Sequence, residues 1–269
     1  MRSVNFTEKE SVESLFRGSI YQNTHLGWLE LWDLHEANGS VWLDTRRKSN
    51  YLIGLQPVNN SIIWLHSFYS DIAPGEYPLA QKIRELLSPG RHSVYTISSH
   101  SWYNKLLEKN NFHSYDEIIE MESTALNIPA HNASDQTFEF CEDLSEEIIL
   151  QYETIFPPIW RLNPAESNCA LRTSSYKLAI MENHQIIGCL LADYADDNCH
   201  IQRLVVSPEF QNRGAATAMI RKMVSDAKEN GVRSFSVNTN RNNSNAVHFY
   251  EQLNFRIQGK QYPVYYRYI

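Results

Sequence analysis

The sequence predicts an α/β fold in which a mixed, mostly antiparallel sheet is flanked by helices, and it predicts two copies of this fold in tandem. Three observations support this expectation. In the second half of the chain, an apolar strand ends at Ser207-Pro208 and leads through a glycine-containing loop into a helix. Two alternating segments flank Glu182-Asn183-His184 and indicate an antiparallel hairpin. The first half repeats a comparable order of strands and helices.

The elements of the first half are predicted from short alternating runs and from one clear breaker, Pro89-Gly90. Its predicted strands are residues 41–44, 51–56, 61–68 and 92–98, with a last strand that continues to Met121. Its predicted helices are residues 79–87 and 102–110. A polar segment then separates the halves, so the predicted domains are 1–125 and 136–269, with a linker at 126–135.

The elements of the second half follow the same kind of pattern. The predicted strands are residues 137–140, 176–181, 185–194, 200–206, 232–238, 255–258 and 264–268. The predicted helices are residues 145–155, 211–228 and 243–254. Pro157-Pro158 ends the first of these helices, and Asn230-Gly231 provides a C-cap for the second.

Composition limits the classes of partner. The 269 residues, of which 42% are hydrophobic, can bury one large core or two of medium size. No apolar run reaches the length of a membrane span, and the N-terminal residues lack a signal-peptide core. The formal charge of −7 argues against nucleic acid. We therefore expect neither a membrane nor a nucleic acid partner.

The four cysteines favour a cytoplasmic location. Cys141, Cys169, Cys189 and Cys199 are scattered and form no Cys-x-x-Cys pair. Isolated cysteines of this kind are typical of reduced thiols in the cytosol. No group of His, Cys and Asp residues has the spacing of metal ligands, so no metal is expected.

The segment from Ile201 to Ala216 is suited to bind phosphate. An apolar strand, a short loop and the start of a helix follow one another, and Gly214, Ala215 and Ala216 add almost no side-chain bulk. The first amides of a helix lack internal partners and carry the positive end of the helix dipole. Such a place binds anions, and a glycine there lets the anion approach the backbone.

A second segment, from Asn243 to Phe255, predicts an amphipathic helix. Asn243 is a good N-cap residue, and the apolar side chains that follow it recur at helical spacing. Asn254 ends the helix, since Asn tolerates the left-handed conformation required there.

Together the two segments resemble the GCN5-related N-acetyltransferases, the GNAT superfamily. Gln211-x-x-Gly214-x-Ala216 resembles the acetyl-CoA pyrophosphate loop of this family, and Asn243-x-x-Ala246-x-x-Phe249-Tyr250 resembles its second signature. Asn254 stands where the family usually has glycine. The resemblance covers residues 136–269. It implies an N-acetyltransferase that transfers the acetyl group of acetyl-CoA to a primary amine by direct attack, without a metal.

The first half is similar to a degenerate copy of the same domain. Residues 106–112 align with residues 249–255, and Leu107 then stands where Tyr250 stands in the second half. The loop before the first helix of this half lacks the Gln-x-x-Gly-x-Ala spacing and carries acidic residues instead. No thioester site is therefore expected in the first half.

The resemblance assigns roles to particular residues of the second half. The pyrophosphate is expected on the amides of Gln211, Asn212, Arg213, Gly214, Ala215 and Ala216. The pantetheine arm is expected to pair with the strand edge at Leu204, Val205 and Val206, and an amide at Leu204 or Val205 would polarise the thioester carbonyl. Tyr250 is the expected general acid, since a phenol and a thiol have similar ordinary pKa values. Asn243 holds the pantetheine, caps the helix, or does both.

The general base is left open between a histidine and three aspartates. Two-residue alternation predicts that His200, Gln202, Leu204 and Val206 lie on one face of the strand. A histidine has a suitable pKa for an amine near neutral pH. The alternatives are Asp193, Asp196 and Asp197 on the neighbouring turn.

Two other functions remain open at this point. The chain could bind acyl-CoA as a sensor or partner-recruiting protein without turnover. It could also transfer a longer acyl chain, which depends on the width of the channel beside Val205 and Val206. The leading prediction is amine acetylation.

Overall fold

The computed structural model describes residues 1–4, 8–17, 19–24, 39–46, 49–124 and 138–269, and the predicted linker at 126–135 lies outside them. The chain forms two compact units. Unit 1 contains Met1–Glu117 and Tyr262–Ile269, and unit 2 contains Ile118–Gln261. These units differ from the predicted domains because the last residues of each half belong to the unit built mainly by the other half.

Unit 1 is built on a mixed sheet with helices packed on it. Its strands are β1 (Arg2–Ser3), β2 (Tyr21–Thr24), β3 (Ser40–Arg46), β4 (Ser49–Pro57), β5 (Ile62–Ser70), β6 (Ser93–Ile97), the start of β7 (His113–Ser123) and the end of β13 (Arg256–Tyr268). Its described helices are α1 (Lys9–Phe16), α2 (Leu79–Leu86) and α3 (Ser101–Lys109). The strand order is β1-β3-β4-β5-β6-β13, and β2 pairs with β5.

Only β5 and β6 run parallel among the registered pairs of unit 1. Helix α2 connects them, as a crossover between parallel strands requires. Leu79 and Ile83 of α2 and Leu106 and Leu107 of α3 are buried against the sheet in one apolar cluster. This is the α/β arrangement that the sequence predicts.

The end of β13 completes the sheet of unit 1. Five residues from Val264 to Tyr268 pair antiparallel with Ile97 to Ser93 of β6. Val264 is fully buried, and Tyr265 belongs to the apolar cluster under α2 and α3. Unit 1 therefore depends on the last residues of the chain.

Deleting residues 262–269 should destabilise unit 1, although the deletion lies at the other end of the sequence. The loss of one buried Tyr alone costs about 3–5 kcal/mol. We expect hydrogen–deuterium exchange to become fast in β6 and α3. A Tyr268→Ala variant is the control, because that side chain is 70% exposed. Unchanged protection of β6 in the deletion variant would contradict this account.

Unit 2 has the same plan. Its strands are the end of β7, β8 (Glu139–Cys141), β9 (Tyr176–Glu182), β10 (Gln185–Ala195), β11 (Asn198–Val206), β12 (Ser234–Asn240) and the start of β13. Its helices are α4 (Glu146–Glu153), α5 (Pro164–Thr173), α6 (Ala215–Glu229) and α7 (Ser244–Gln252). The strand order runs β7-β12-β11-β10-β9-β8, and only β11 and β12 are parallel among these pairs.

Two apolar clusters cover the two faces of this sheet. Helices α6 and α7 pack on one face, with Met219, Ile220 and Tyr250 in the larger cluster. Helix α4 packs on the other face, with Ile149 and Tyr152 in the smaller one. These faces are called the α6 face and the α4 face below.

Helix α6 begins four residues later than the sequence predicts. It was expected from residue 211 but begins at Ala215. The cause is backbone conformation, because Asn212 has φ of 60° and Gly214 has φ of 86°. Left-handed residues at these two positions hold residues 211–214 as a loop.

Some elements were not predicted from the sequence. Helix α5 is one, although Asn163 and Glu166 form a complete capping box and Pro164 stands at its first position. That signal could have located it. Helix α1 and strand β2 were also missed. The two predicted strands at 255–258 and 264–268 are one long strand, β13.

Helices α3 and α7 end in the same way, which supports the predicted internal repeat. Phe112 N donates to Leu107 O at 3.0 Å, and Phe255 N donates to Tyr250 O at 2.9 Å. The residues before them, Asn111 and Asn254, have φ of 53° and 69°. Leu107 therefore occupies the structural position of Tyr250, in the register that the sequence indicates.

Candidate active site

The two parallel strands of unit 2 diverge toward the end of β11. Their register runs from Asn198↔Ser234 to Ile201↔Val237 and stops there. Beyond this point β11 pairs with β10 through Val206, but no pair joins it to β12 in the described part of the chain. The edge at Leu204, Val205 and Val206 is therefore open on the β12 side, which is where the sequence predicts that the pantetheine arm pairs.

Unit 1 contains the same divergence, and there a strand fills it. The β5–β6 register ends at Trp64↔Tyr95. Strand β2 then pairs antiparallel with Ser67 to Ser70 of β5. Asn23 of β2 is 1% exposed and links it to β6 and the following loop, through Ile97 O at 2.9 Å and Ser99 N at 3.0 Å. An extended chain segment thus fits this kind of opening.

A loop with amides that have no acceptor among the described residues lies at the end of the open edge in unit 2. Gly214 is the N-cap residue of α6 in a left-handed conformation, and no side chain caps the helix. Within the described residues, no protein group accepts a hydrogen bond from the amides of residues 212–216. A Cβ atom added at Gly214 would meet nothing within 4 Å. These donors suit an anion such as a diphosphate.

Two predicted loop residues have additional roles. The amide of Gln211 donates to Pro208 O, and its side-chain amide donates to Val206 O at 2.9 Å. Gln211 therefore fixes the loop to the end of β11, and its amide is already used within the turn. Arg213 lies over the ring of Phe210 at 5.3 Å and is exposed at the rim of the loop. Its cation remains accessible to an anion.

The predicted alternation of side chains along β11 is wrong because the strand contains a β-bulge. Ile201 pairs with Ala192 and Arg203 pairs with Leu191, which leaves Gln202 without a partner in β10. One extra residue reverses the faces that follow it. Leu204 and Val206 pack on the α6 face, whereas Val205 packs on the α4 face.

His200 therefore lies on the α4 face and does not share a face with Leu204 and Val206. It pairs with Asp193 of β10 and with Ser236 of β12. Its Nδ1 atom is 2.9 Å from Ser236 Oγ, which also accepts a hydrogen bond from Asn198 Nδ2 at 2.9 Å. These contacts orient the ring and leave Nε2 for other partners.

The surroundings of His200 favour its neutral form. Burial lowers the pKa of His200 below its ordinary value of 6.5, and the carboxylates of Glu120 and Asp193 partly oppose this effect. A neutral imidazole at pH 7 can accept a proton. The geometry thus suits His200 as a base better than it suits the three aspartates.

Asp193, Asp196 and Asp197 are less suited to that role. Asp193 accepts hydrogen bonds from Ser175 N at 3.0 Å and from the side chain of Gln202. Asp196 and Asp197 are exposed in the turn between β10 and β11. That turn is at the opposite end of β11 from the amide loop, so these carboxylates are distant from it.

Tyr250 lies inside the larger apolar cluster of unit 2. It is 5% exposed and its ring contacts those of Phe249 and Phe255 at 5.2 and 5.3 Å. Burial raises its pKa well above the ordinary value of 10, so the phenol is protonated at any physiological pH. It can only donate a proton there. Tyr250 is therefore a weaker acid than the similar ordinary pKa values of a phenol and a thiol would suggest.

Asn243 caps helix α7, which was one of its two expected roles. Its side chain accepts a hydrogen bond from Ala246 N at 3.3 Å. The residue is exposed. The cap fixes the start of the helix that carries Tyr250.

At the corresponding helix start in unit 1, the first two amides already donate to protein acceptors. Pro78 precedes α2 and has no N–H, and Leu79 N donates to Tyr77 O at 2.8 Å. Ala80 N donates to Asn110 Oδ1 at 3.1 Å. Leu107 stands in place of Tyr250, so unit 1 lacks both the anion loop and the phenol. That the first half has no thioester site of its own stays a prediction.

A buried ion pair on the α4 face was not found from the sequence. Arg203 Nε lies 3.2 Å from Glu153 Oε1, and Arg203 also donates to Trp160 O at 3.1 Å. Glu153 Oε2 accepts from Leu162 N at 2.8 Å. The pair therefore fixes the segment between α4 and α5 to β11. A lone arginine in a strand carries no sequence signal for such a contact.

The described residues offer neither a metal-binding group of side chains nor a helix that could span a membrane. No three side chains among His, Cys, Asp and Glu in these ranges come together in a way that could hold a metal ion. Among the described helices, none has the length and apolar character needed to cross a membrane.

Residues 140–255 match the Acetyltransferase (GNAT) family. No curated protein matches the chain. The chain is similar in structure to a GCN5-related N-acetyltransferase from Sphaerobacter thermophilus, with 14% identity, a TM-score of 0.59 and coverage of 91% of this chain and 86% of that one. It is also similar in structure to a GNAT-family acetyltransferase from Colwellia psychrerythraea, with 10% identity, a TM-score of 0.59 and coverage of 100% of this chain and 99% of that one.

The chain is also similar to a tandem GNAT protein from the clavulanic acid biosynthesis pathway, with 8% identity, a TM-score of 0.63 and coverage of 99% of this chain and 97% of that one. Identities this low establish the fold alone. Because almost the full length of both chains aligns, the similarity in fold extends over both halves of this chain. The second half of this chain, over residues 140–255, belongs to the GNAT family of acetyltransferases, and the whole chain has the fold of a tandem GNAT protein.

Proposed function

We propose that this protein transfers the acetyl group of acetyl-CoA to a primary amine at the site in unit 2. One observation carries the proposal: the open edge of β11 leads directly into a loop of free amides at the start of α6. The edge suits a peptide-like arm, and the loop suits a diphosphate. Both features occur in one cofactor, coenzyme A.

The reaction that fits the site is direct attack. The amine nitrogen forms a bond to the thioester carbonyl carbon, and the carbon–sulfur bond breaks. An amide at Leu204 or Val205 on the open edge would stabilise the charge that develops on the carbonyl oxygen. His200 takes one proton from the ammonium before attack, directly or through water, and Tyr250 gives its proton to the departing thiolate. The nitrogen loses a second proton as the amide forms, and this proton returns to Tyr250 through water. We infer a cytoplasmic location, which the four free cysteines support.

Thiol release tests the proposal. The protein is mixed with acetyl-CoA and a panel of primary amines, and free CoA and the acetylated amine are measured. Turnover above the rate without protein for at least one amine is expected. Tight CoA binding with no turnover for any amine would instead favour an acyl-CoA sensor. A longer acyl chain is tested in the same assay by replacing acetyl-CoA with octanoyl-CoA.

Replacing His200 with Gln should lower kcat/KM at pH 7 by about 100-fold, the lower range for loss of a general base. In the wild type, kcat/KM should fall with decreasing pH through a value below 6.5, because burial lowers the pKa of His200. The variant should lose this acid limb. His184→Gln is the control, because that side chain is 89% exposed. An acid limb that persists in His200→Gln would assign the base elsewhere.

A further inference from the structure

Glu120 comes from the first half of the sequence but lies in unit 2. It belongs to the part of β7 that pairs with β12, where it stands opposite Asn238. Asn238 follows Val237, the last residue of β12 that pairs with β11. Glu120 is therefore at the point where β11 and β12 diverge, beside the opening described above.

The Glu120 side chain shares the α4 face with His200. Its neighbours Ile119 and Met121 are fully buried in the cluster under α6 and α7, so Glu120 points to the opposite face. Ser236 stands two residues from Asn238 on β12 and contacts His200 on that face. The influence of the Glu120 carboxylate on the pKa of His200 is consistent with this proximity.

The carboxylate of Glu120 is available for a ligand. In the part of the chain that the structure describes, no side chain forms a hydrogen bond or ion pair with it. Two other charged residues on this face are engaged, since Asp193 accepts two hydrogen bonds and Arg203 pairs with Glu153. Glu120 is half-buried, so its charge is only partly screened by water.

A glycine leaves room for this carboxylate. A Cβ atom added at Gly259 would lie 2.6 Å from Glu120 Oε2 and 3.5 Å from its Cδ. Gly259 also has φ of 70°, a conformation that favours glycine. Any larger residue at 259 would displace the carboxylate.

We propose that Glu120 is the acceptor-binding residue of unit 2 and that it selects amines in their ammonium form. The carboxylate holds the cation next to His200 Nε2, which then removes the proton before attack. This inference rests on the proposed acetyl transfer for its role, but the binding step that it describes can be measured without turnover. The copy that lacks a cofactor site thus supplies a residue to the copy that has one.

Equilibrium binding to the CoA-saturated protein tests the inference. The probes are primary alkylammonium and arylalkylammonium ions, such as butylammonium and 2-phenylethylammonium, and the alcohols with the same carbon skeletons. At pH 7 the wild type should bind at least one ammonium ion 10-fold or more tightly than its alcohol. Glu120→Gln should abolish this preference without changing affinity for the alcohol.

Glu122→Gln and Gly231→Ala serve as controls, and Gly259→Ala is a second test. Glu122 lies on the same face of β7 but is exposed, and Glu122→Gln should keep the preference. Gly259→Ala retains the carboxylate but displaces it, so it should reduce the preference. Gly231→Ala, at a φ of 83° with open space around it, controls for backbone strain.

The outcomes separate this inference from the proposed function. An ammonium preference that depends on Glu120, without thiol release for any amine, would support the inference and reject acetyl transfer. Turnover with an unchanged preference in Glu120→Gln would reject the inference alone. A wild type that binds no ammonium ion better than its alcohol, or a Glu122→Gln variant that loses as much as Glu120→Gln, would also overturn it.

Discussion

Gly214→Glu should weaken CoA binding by at least 100-fold. The new carboxylate would stand at the start of α6, among the amides that are free to bind a diphosphate. A hydrogen bond to a charged group contributes about 1.5–3 kcal/mol, so the loss of two such bonds corresponds to a factor of 100 or more. Direct charge repulsion adds to this loss. Calorimetry with CoA measures the effect.

Gly231→Glu provides a closely matched control at the other end of the same helix. Gly214 and Gly231 have φ of 86° and 83°, and an added Cβ would meet nothing within 4 Å at either position. Each substitution costs about 1–2 kcal/mol for a left-handed residue. A carboxylate is less favourable for stability near the C-terminus of a helix, as in Gly231→Glu, than near its N-terminus, as in Gly214→Glu.

CoA affinity in Gly231→Glu should therefore stay within about twofold of the wild type, although this variant is at least as destabilised. The comparison isolates the amide loop from general effects of strain. Equal losses of affinity in the two variants, or full affinity in Gly214→Glu, would show that the diphosphate binds elsewhere.

Local patterns in the sequence were sufficient to predict most of the fold. The hairpin of β9 and β10 turns through Asn183 and His184, with φ of 50° and 63°, as its turn residues indicate. Asn254 takes the left-handed conformation expected of it, with φ of 69°. Both features depend on a few adjacent residues, and such local preferences can be seen in the sequence.

Features that depend on pairing between distant residues could not be predicted. The bulge at Gln202 arises from its register with β10, and this register places His200 on the α4 face. The last strand of each half also pairs with a strand from the other half, so that Val264 pairs with Ile97 and Glu120 pairs with Asn238. Periodicity shows that these segments are strands but not which strands are their neighbours.

The opening between two diverging parallel strands is filled by a strand in unit 1 and is open in unit 2. In unit 1 strand β2 occupies the divergence between β5 and β6, and the amides of Leu79 and Ala80 at the start of α2 donate to acceptors within the unit. In unit 2 the equivalent edge and amides have no protein partner among the described residues. The sequence shows that unit 1 lacks the Gln-x-x-Gly-x-Ala loop, but only the structure shows that strand β2 fills its opening.

Tyr250→Phe should lower kcat by about 100- to 10,000-fold, the range for loss of a general acid. The hydroxyl has no hydrogen bond to another side chain in the described part of unit 2. The ring contacts with Phe249 and Phe255 are kept in the variant. CoA affinity and the free energy of unfolding should therefore stay close to those of the wild type, whereas thiol release slows.

The control for this prediction is Tyr103→Phe in α3. Tyr103 is fully buried, and its hydroxyl lies 3.3 Å from Thr96 Oγ1. Removing that contact should lower the free energy of unfolding by about 1 kcal/mol. The Tyr103→Phe variant should keep the kcat of the wild type, because unit 1 lacks the Gln-x-x-Gly-x-Ala loop and has Leu107 at the position of Tyr250.

The raised pKa of Tyr250 does not prevent it from acting as an acid. A thiolate that forms in the same apolar surroundings is also deprived of water, so its pKa rises as well. The two shifts act in the same direction, and proton transfer from phenol to thiolate remains possible. If Tyr250→Phe kept the kcat of the wild type, Tyr250 would be a core residue only, and the departing thiolate would take its proton from water.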